Sequence, residues 1–538
     1  MPFIRRLKST SLFSVLDSAR LKHAFCLVAT ILAVIFKFWL IAQMEITDAL
    51  DDPHEYVLQI LYPVNGGLAY PPGTGLVGRF FYEFGIPFRL GIEIAYIFSA
   101  ALVLRALFTW PTRSYLSLGL FLLMIFNPAA PELFSHLMSD QVWLVESMLG
   151  LSCLVLAMEG GPRPKWGYIS LAIFFFGLTA VTRSTFLPLM ASVLAFAIVS
   201  FVLLASKFTH APNKNHAAIL GLSTSSLLFG VVLIYYGTCF YDSTHHGYFG
   251  VSAIDCSEYK KFYTCLQSVG DDDDDTHFPI DEARRKLIRQ AGPTSQWFVE
   301  QVEKNTLYKQ VGIDRYGKSD IPGGWFHFAT FNAVLPAANG DLRKSFEMLE
   351  TIEHEIAQAH QQGSLKVRPV LPLPDSRLHL VLAAFPEGLK NTVGMIVHQP
   401  PPDAFSPGNF IYKSSEFSEA LSRRTVMEGP AQEKIWGLLC LIYAGVYLPA
   451  LFYFFLLVLM FFVIVLAFRW NRFEEAPLSF IAQQAFVLFF LVHIFWYALF
   501  DASGLSIYAR YVIFQNIMLP VLIIYYLRMI PRLLKSEL

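Results

Sequence analysis

Ten stretches of this chain are apolar for about 20 residues or slightly fewer, the length a helix needs to cross a bilayer. They cover 22–43, 91–109, 114–128, 140–158, 167–182, 186–205, 217–237, 448–468, 479–499 and 511–530. The third and fifth are short. The run from Ile435 to Phe468 is too long for one straight helix, and Pro449 is where it can divide into an interfacial segment and a span. Between Gly237 and Lys434 the pattern turns polar and mixed. Helical pieces such as DEARRKLIRQA and SFEMLETIEHEIAQAHQQ alternate there with proline- and glycine-rich links such as RPVLPLPDS and HQPPPDAFSPG. The expected fold is therefore an all-α polytopic membrane bundle of about ten transmembrane helices carrying one large, mainly α domain. The division is a transmembrane module at 1–237, a domain at 238–434 long enough for its own core, and a second transmembrane module at 435–538. No repeat of fixed period appears.

Composition agrees with the pattern. Of 538 residues, 54% are hydrophobic and 15% charged, and the mean hydropathy is +0.46. A net charge of −1 removes the case for nucleic acid, whose phosphates need a concentrated basic surface.

Charge placement sets the expected orientation. Arg5, Arg6, Lys8, Arg20 and Lys22 precede the first span, and Arg113, Arg163, Lys165, Lys207, Lys214, Arg469, Arg472, Arg532 and Lys535 fall on every second connection. Cations collect on the cytoplasmic side, so both termini are expected there and the 238–434 domain outside, in a bacterial inner membrane. A cleaved signal peptide is the competing reading of the first segment. Its apolar run is long for that, and removal would upset the alternation.

That orientation places TDALDDPHEYVLQILYP outside, directly after the first span, with Asp48, Asp51, Asp52 and Glu55 close together. Charge at a membrane edge is costly when unpaired. The bland account is that Asp51 and Asp52 cap a short helix from His54 to Tyr62, but capping uses one carboxylate and four are present. GGLAYPPGTGLVGRF follows, a rigid-then-tight loop in which Tyr70 is equally an interfacial anchor or a site residue. Arg79, Arg89, Arg183 and Arg510 lie at outward ends of spans, against the usual bias. Guanidinium forks suit phosphate oxygens, and the alternative is snorkelling to lipid headgroups. Asp140, at the start of the fourth span, either pairs with one of these arginines or binds substrate.

In order along the chain, these residues carry a resemblance. DDPHEY (Asp51 to Tyr56) is similar to the acidic first-outer-loop motif of the GT-C class of membrane glycosyltransferases, which includes mannosyl- and aminoarabinose-transferase-like families. AYPPGTG resembles the segment that follows it, MSDQVWLVESMLG the acidic start of a later span, GLTAVTRSTFLPL a turn between spans, and YARYVIFQNIMLP the closing element around Arg510. None of the likeness reaches 238–434. It implies transfer of a sugar from a polyprenyl-phosphate carrier to an acceptor hydroxyl on a glycan, glycolipid or protein, at the outer face and with inversion. The catalytic outer loop is then 44–90. Asp51 is the first choice as base and Asp52 the second, while Glu55, Tyr56, Tyr70, Arg79, Asp140, Arg183 and Arg510 bind substrate.

Rival readings are a polar-lipid flippase or transporter, a glycan polymerase or ligase centred on Arg423 and Arg424, and a non-catalytic assembly component. No cofactor is required, and a divalent cation accompanying the lipid phosphate is left open. DDDDD at 271–275 lacks the ligand spacing of a calcium loop. His245 and His246 suit interfacial anchoring better than a metal. Cys256 and Cys265 are the closest pair, in sequence, among the three cysteines of the polar region.

Overall fold

The computed structural model describes residues 19–41, 52–61, 70–134, 137–159, 165–183, 186–205, 214–270, 277–368, 378–397, 430–447, 449–468, 478–502 and 509–535. Among the described residues, ten α-helices come before the polar domain: α1 (Ala19–Ile41), α2 (Asp52–Leu61), α3 (Gly73–Glu83), α4 (Phe88–Leu107), α5 (Tyr115–Ile125), α6 (Ala129–Phe134), α7 (Ser139–Ala157), α8 (Trp166–Thr182), α9 (Phe186–Ala205) and α10 (Lys214–His245). The polar domain holds α11 (Ser257–Ser268), α12 (Glu282–Ile288), α13 (Pro293–Glu303), α14 (Thr306–Tyr316), α15 (Gly323–Ala337) and α16 (Leu342–Gln361). Then come α17 (Leu378–Val397), α18 (Pro430–Val446), α19 (Pro449–Phe468), α20 (Leu478–Ala502) and α21 (Ile513–Lys535). Among the described residues there is no strand, only an isolated bridge between Val269 and Val367.

Every apolar run read from sequence falls on a helix. Among the described residues, seven helices are long and apolar enough to cross a membrane: α1, α4, α7, α10, α19, α20 and α21. α5, α8 and α18 are apolar but shorter, at 11, 17 and 17 residues, and α9 is apolar over 20. The protein is an integral membrane protein. In six of the seven spans hydropathy falls as burial rises, α10 being the exception at 1.5 and 28% buried, as expected where lipid is as apolar as leucine and helices associate through packing and polar contacts. The span in α19 has a mean hydropathy of 3.1 and is 28% buried, whereas that in α7, at 1.4, is wholly enclosed. Small residues permit close approach. A Cβ on Gly177 of α8 would lie 2.2 Å from Ile234 of α10, and one on Gly230 would lie 2.4 Å from Ile173. A polar ladder joins α20 and α21: Tyr525 donates to Gln483 at 2.7 Å and Tyr526 to Gln484 at 2.8 Å. Gln483 in turn donates to the Ala106 carbonyl of α4 at 2.9 Å.

Two features depart from the sequence reading. α10 continues to His245 rather than ending near 237. α17, placed by sequence in the polar domain, packs on the membrane helices instead. Its Val393, Ile396 and Val397 join the membrane core, Asn391 donates to Asp501 at 2.9 Å, and a Cβ on Gly388 would meet the Ala498 carbonyl at 2.4 Å. Glu387 and Lys390 interrupt the otherwise apolar run of α17. The division at Pro449 occurs as expected, with α18 ending at Val446 and α19 beginning at Pro449.

The polar domain has its own core, from Tyr248 to Leu365. α16 contributes Leu342, Leu349, Ile352, Ile356 and Ala359 from one face, at helical spacing. Cys256 and Cys265 are both free thiols, and the Cys256 sulfur caps α11 by accepting from the Tyr259 amide at 3.3 Å. The start of α13 is capped from a distance. Gly292 has no side chain to offer, and Glu355 accepts from Thr294 N at 2.9 Å and from Ser295 N and Oγ at 2.7 Å each. Burial pushes the Glu355 carboxyl up, but the bonds from Ser295 and Thr294 together outweigh it and hold the group below the usual range. A depressed carboxylate stabilises the fold above its unfolded pKa of about 4.3, and that contribution fades as pH falls through the folded value. Glu355→Gln is expected to cost about 1 kcal/mol at neutral pH and to blunt acid loss of stability below about pH 4.3. Thermal unfolding of the whole chain across pH, with amide exchange at Thr294 and Ser295, checks both.

Candidate active site

α2 and α3 pack through glycines. A Cβ on Gly75 would lie 2.4 Å from Gln59 Cβ and one on Gly78 2.5 Å from Ile60. Gln59 donates to the Tyr70 carbonyl at 3.0 Å, and the Tyr56 and Tyr70 rings stand 5.2 Å apart. Arg79 donates to the carbonyls of Ile60 at 3.2 Å and Leu61 at 3.4 Å, where the free carbonyls and dipole of a helix C-terminus favour a cation. It also pairs with Glu83. Arg79 thus fastens the end of the helix that follows the acidic pair.

At the head of α3, the Pro-Pro-Gly segment presses on the end of α8. A Cβ on Gly73 would fall 2.1 Å from Thr182 Oγ1 and 2.6 Å from Thr182 Cα. The next residue, Arg183, leaves α8 in extended conformation. Its guanidinium meets Asp140, in the first turn of α7, at 2.5 Å, with an acid at a helix start and a base at a helix end. Arg183 lies 4.2 Å over the Tyr511 ring and 6.0 Å from the Trp143 ring. Tyr511 sits in the 3-10 turn Ala509–Val512 that leads into α21, 6.2 Å from Tyr497 of α20. His493, one turn earlier on α20, stands 5.3 Å from Trp143.

Through these contacts α2, the head of α3, the start of α7, the end of α8, α20 and the 3-10 turn form one connected set at one end of the bundle. The polar domain reaches the same place, where Phe328 of α15 stacks on Tyr70 at 5.6 Å. Of the residues picked out from sequence, Tyr56 pairs with Tyr70 and Asp140 with Arg183; the contact of Gly73 with Thr182 links the two pairs, and Arg79 holds the end of α2 behind the first. Asp52 and Glu55 open α2 and Arg510 lies in the 3-10 turn, but their side chains are not among those described. Asp51, the 271–275 run, Arg423 and Arg424 lie outside the described residues. Asp140 pairs with Arg183, one of the two alternatives read for it from sequence.

Arg89 belongs elsewhere. It donates to Glu93 at 3.1 Å and to the Pro131 carbonyl at 3.2 Å, while Lys37 of α1 approaches the other Glu93 oxygen at 3.6 Å. Lys37 and Glu93 are fully buried. This cluster ties α1 to α4, a structural use that accounts for a cation on the unexpected side.

Glu146 was passed over. It lies about one and two-thirds turns beyond Asp140 on α7, buried, with Thr182 at the end of α8 as its polar neighbour. A lone acid inside an apolar run was the available signal. His245 stacks on Tyr241 at 4.1 Å, and among the described residues no three His, Cys, Asp or Glu side chains gather as a metal set.

No family model and no curated protein matches this chain. Among solved structures, ArnT from Cupriavidus metallidurans bound to undecaprenyl phosphate is similar over 89% of this chain and 78% of its own, at 10% identity and a TM-score of 0.26. At that score the likeness assigns nothing here.

The contact between Gly73 and Thr182 is testable directly. Gly73→Ala forces two backbones apart and is expected to cost about 1–3 kcal/mol, read as a lower unfolding temperature in micelles. Gly167→Ala, where a Cβ meets open space, serves as the control and is expected to be neutral or slightly stabilising.

Proposed function

We propose that this chain is a GT-C class membrane glycosyltransferase that moves a sugar from a polyprenyl-phosphate carrier to an acceptor hydroxyl. The supporting observation is the convergence just described. Segments that resemble successive motifs of that class, widely separated in sequence, are linked through a chain of packed contacts to the Asp140–Arg183 pair.

In this reading, Asp51 or Asp52 takes the proton of the acceptor hydroxyl as its oxygen bonds to the anomeric carbon. The bond from that carbon to the phosphate oxygen breaks, and the carrier phosphate leaves with the electron pair. Arg183, held in place by Asp140 and Tyr511, and Arg510 steady the charge growing on the phosphate. Because the leaving group is already a weakly basic anion, no strong acid is needed. A single displacement inverts the anomeric centre. The expected setting is a bacterial inner membrane, with both termini in the cytoplasm and the polar domain outside. The intramembrane charges, Lys37 with Glu93, are closed into a packed cluster, which favours this reading over a transporter.

The test is mass spectrometry of envelope glycans and glycolipids from cells with and without the chain, followed by transfer assays with the named donor in the presence and absence of a divalent cation. Loss of one sugar in the deletion supports the reading and names the donor. An unchanged glycan inventory overturns it.

A further inference from the structure

α3 has three sides. One is buried: Gly73, Thr74, Gly75 and Gly78 face Thr182, Gln59 and Ile60. A second carries Arg79 and Glu83, paired with each other, with Arg79 5.3 Å over the Tyr82 ring. The third is apolar and open. Leu76 is 50% exposed, Phe80 57% and Phe84 68%, and their spacing of four aligns them into one stripe. The Phe80 and Phe84 rings lie 4.8 Å apart.

The stripe does not stop with the helix. The chain turns through Gly85, at φ 65°, a conformation glycine adopts without strain. It then enters α4, where Leu90, Ile94 and Phe98 are again exposed at spacing four. α4 is a membrane span, so that face of it is covered by acyl chains.

We propose that α3 is embedded in the lipid leaflet at this end of the bundle, with Leu76, Phe80 and Phe84 among the acyl chains and the Arg79–Glu83 pair at headgroup level. The occupant is the bilayer because α3 is joined by one short turn to a span with an exposed apolar face, and packs on that span through Phe81, which a Cβ on Gly91 would meet at 2.7 Å. A helix with one apolar side and one charged flank lies in such an interface by elementary partition. Through its glycine side, α3 then acts as a bracket between the leaflet and the turn that carries Arg183.

Spin labels on single cysteines test this in the full chain reconstituted in phosphatidylglycerol–phosphatidylethanolamine nanodiscs. The background replaces Cys265, the one native cysteine that is not buried, by serine. Leu76→Cys, Phe80→Cys and Phe84→Cys are compared with Phe98→Cys as lipid standard and Lys344→Cys as water standard. The labels at 76, 80 and 84 are expected to match position 98, accessible to oxygen and protected from a water-soluble nickel chelate, while Glu83→Cys follows position 344. Nickel access at 76, 80 and 84 overturns the proposal. So does protection from both reagents, which would mean that a second copy or another protein covers the stripe.

Discussion

Changing Asp51 and Asp52 together to asparagine is expected to lower sugar transfer about 10²- to 10⁴-fold, the usual share of a positioned general base. Asparagine keeps the shape and can cap α2, so the fold should stay intact. What it cannot do is accept the acceptor's proton. Donor binding should survive, because the arginines proposed for the phosphate are untouched. The loss then falls on kcat with KM for the carrier-linked sugar little changed, and it removes the acid limb of the pH profile. The single variants divide the roles. If Asp51 is the base, Asp51→Asn alone reproduces the double loss, and Asp52→Asn, at the first residue of α2, has a smaller effect. Transfer at the unsubstituted rate by the double variant, with folding confirmed, removes both carboxylates from the mechanism.

The helices were legible because a bilayer accepts few solutions, and ten long apolar runs leave little choice. The error at α17 has the same root: Glu387 and Lys390 lie in an otherwise apolar helix, and composition does not say on which side of a helix a charge sits. The site was legible as an ordered set of short segments, yet not as a geometry. Nothing in the sequence indicates that Arg79 caps α2 through Ile60 and Leu61, since that depends on where α2 stops. Arg89 looked like Arg183 because both are arginines at the ends of spans. Only the partners separate them: Glu93, one turn along the same helix, for Arg89, and Asp140, on another helix, for Arg183. Glu146 lies inside one of those segments and is not legible there, because its burial and its neighbour Thr182 on another helix are set by the packing.

Removing either side of the Asp140–Arg183 pair is expected to be the largest stability change at the site. Their side chains are 4% and 15% exposed, and breaking a buried pair from one side strands the other charge at about 3–5 kcal/mol. Asp140→Asn leaves the guanidinium against Tyr511 and Trp143 without this carboxylate. Arg183→Gln leaves a carboxylate at the start of α7, where the helix dipole recovers part of the loss, so it should be the milder of the two. Replacing both removes the stranded charge, and Asp140→Asn with Arg183→Gln should be more stable than the sum of the single losses predicts. Transfer should not return with stability. If Arg183 steadies the departing phosphate, the double variant stays about 10²- to 10³-fold slow, and Arg183→Lys, which keeps the charge but not the fork, falls between. Unfolding temperatures and transfer rates measured on the same four proteins separate the two roles. A double variant that folds and transfers like the unsubstituted chain reduces the pair to a clamp between α7 and α8, and leaves Arg510 as the remaining arginine of the proposed phosphate site.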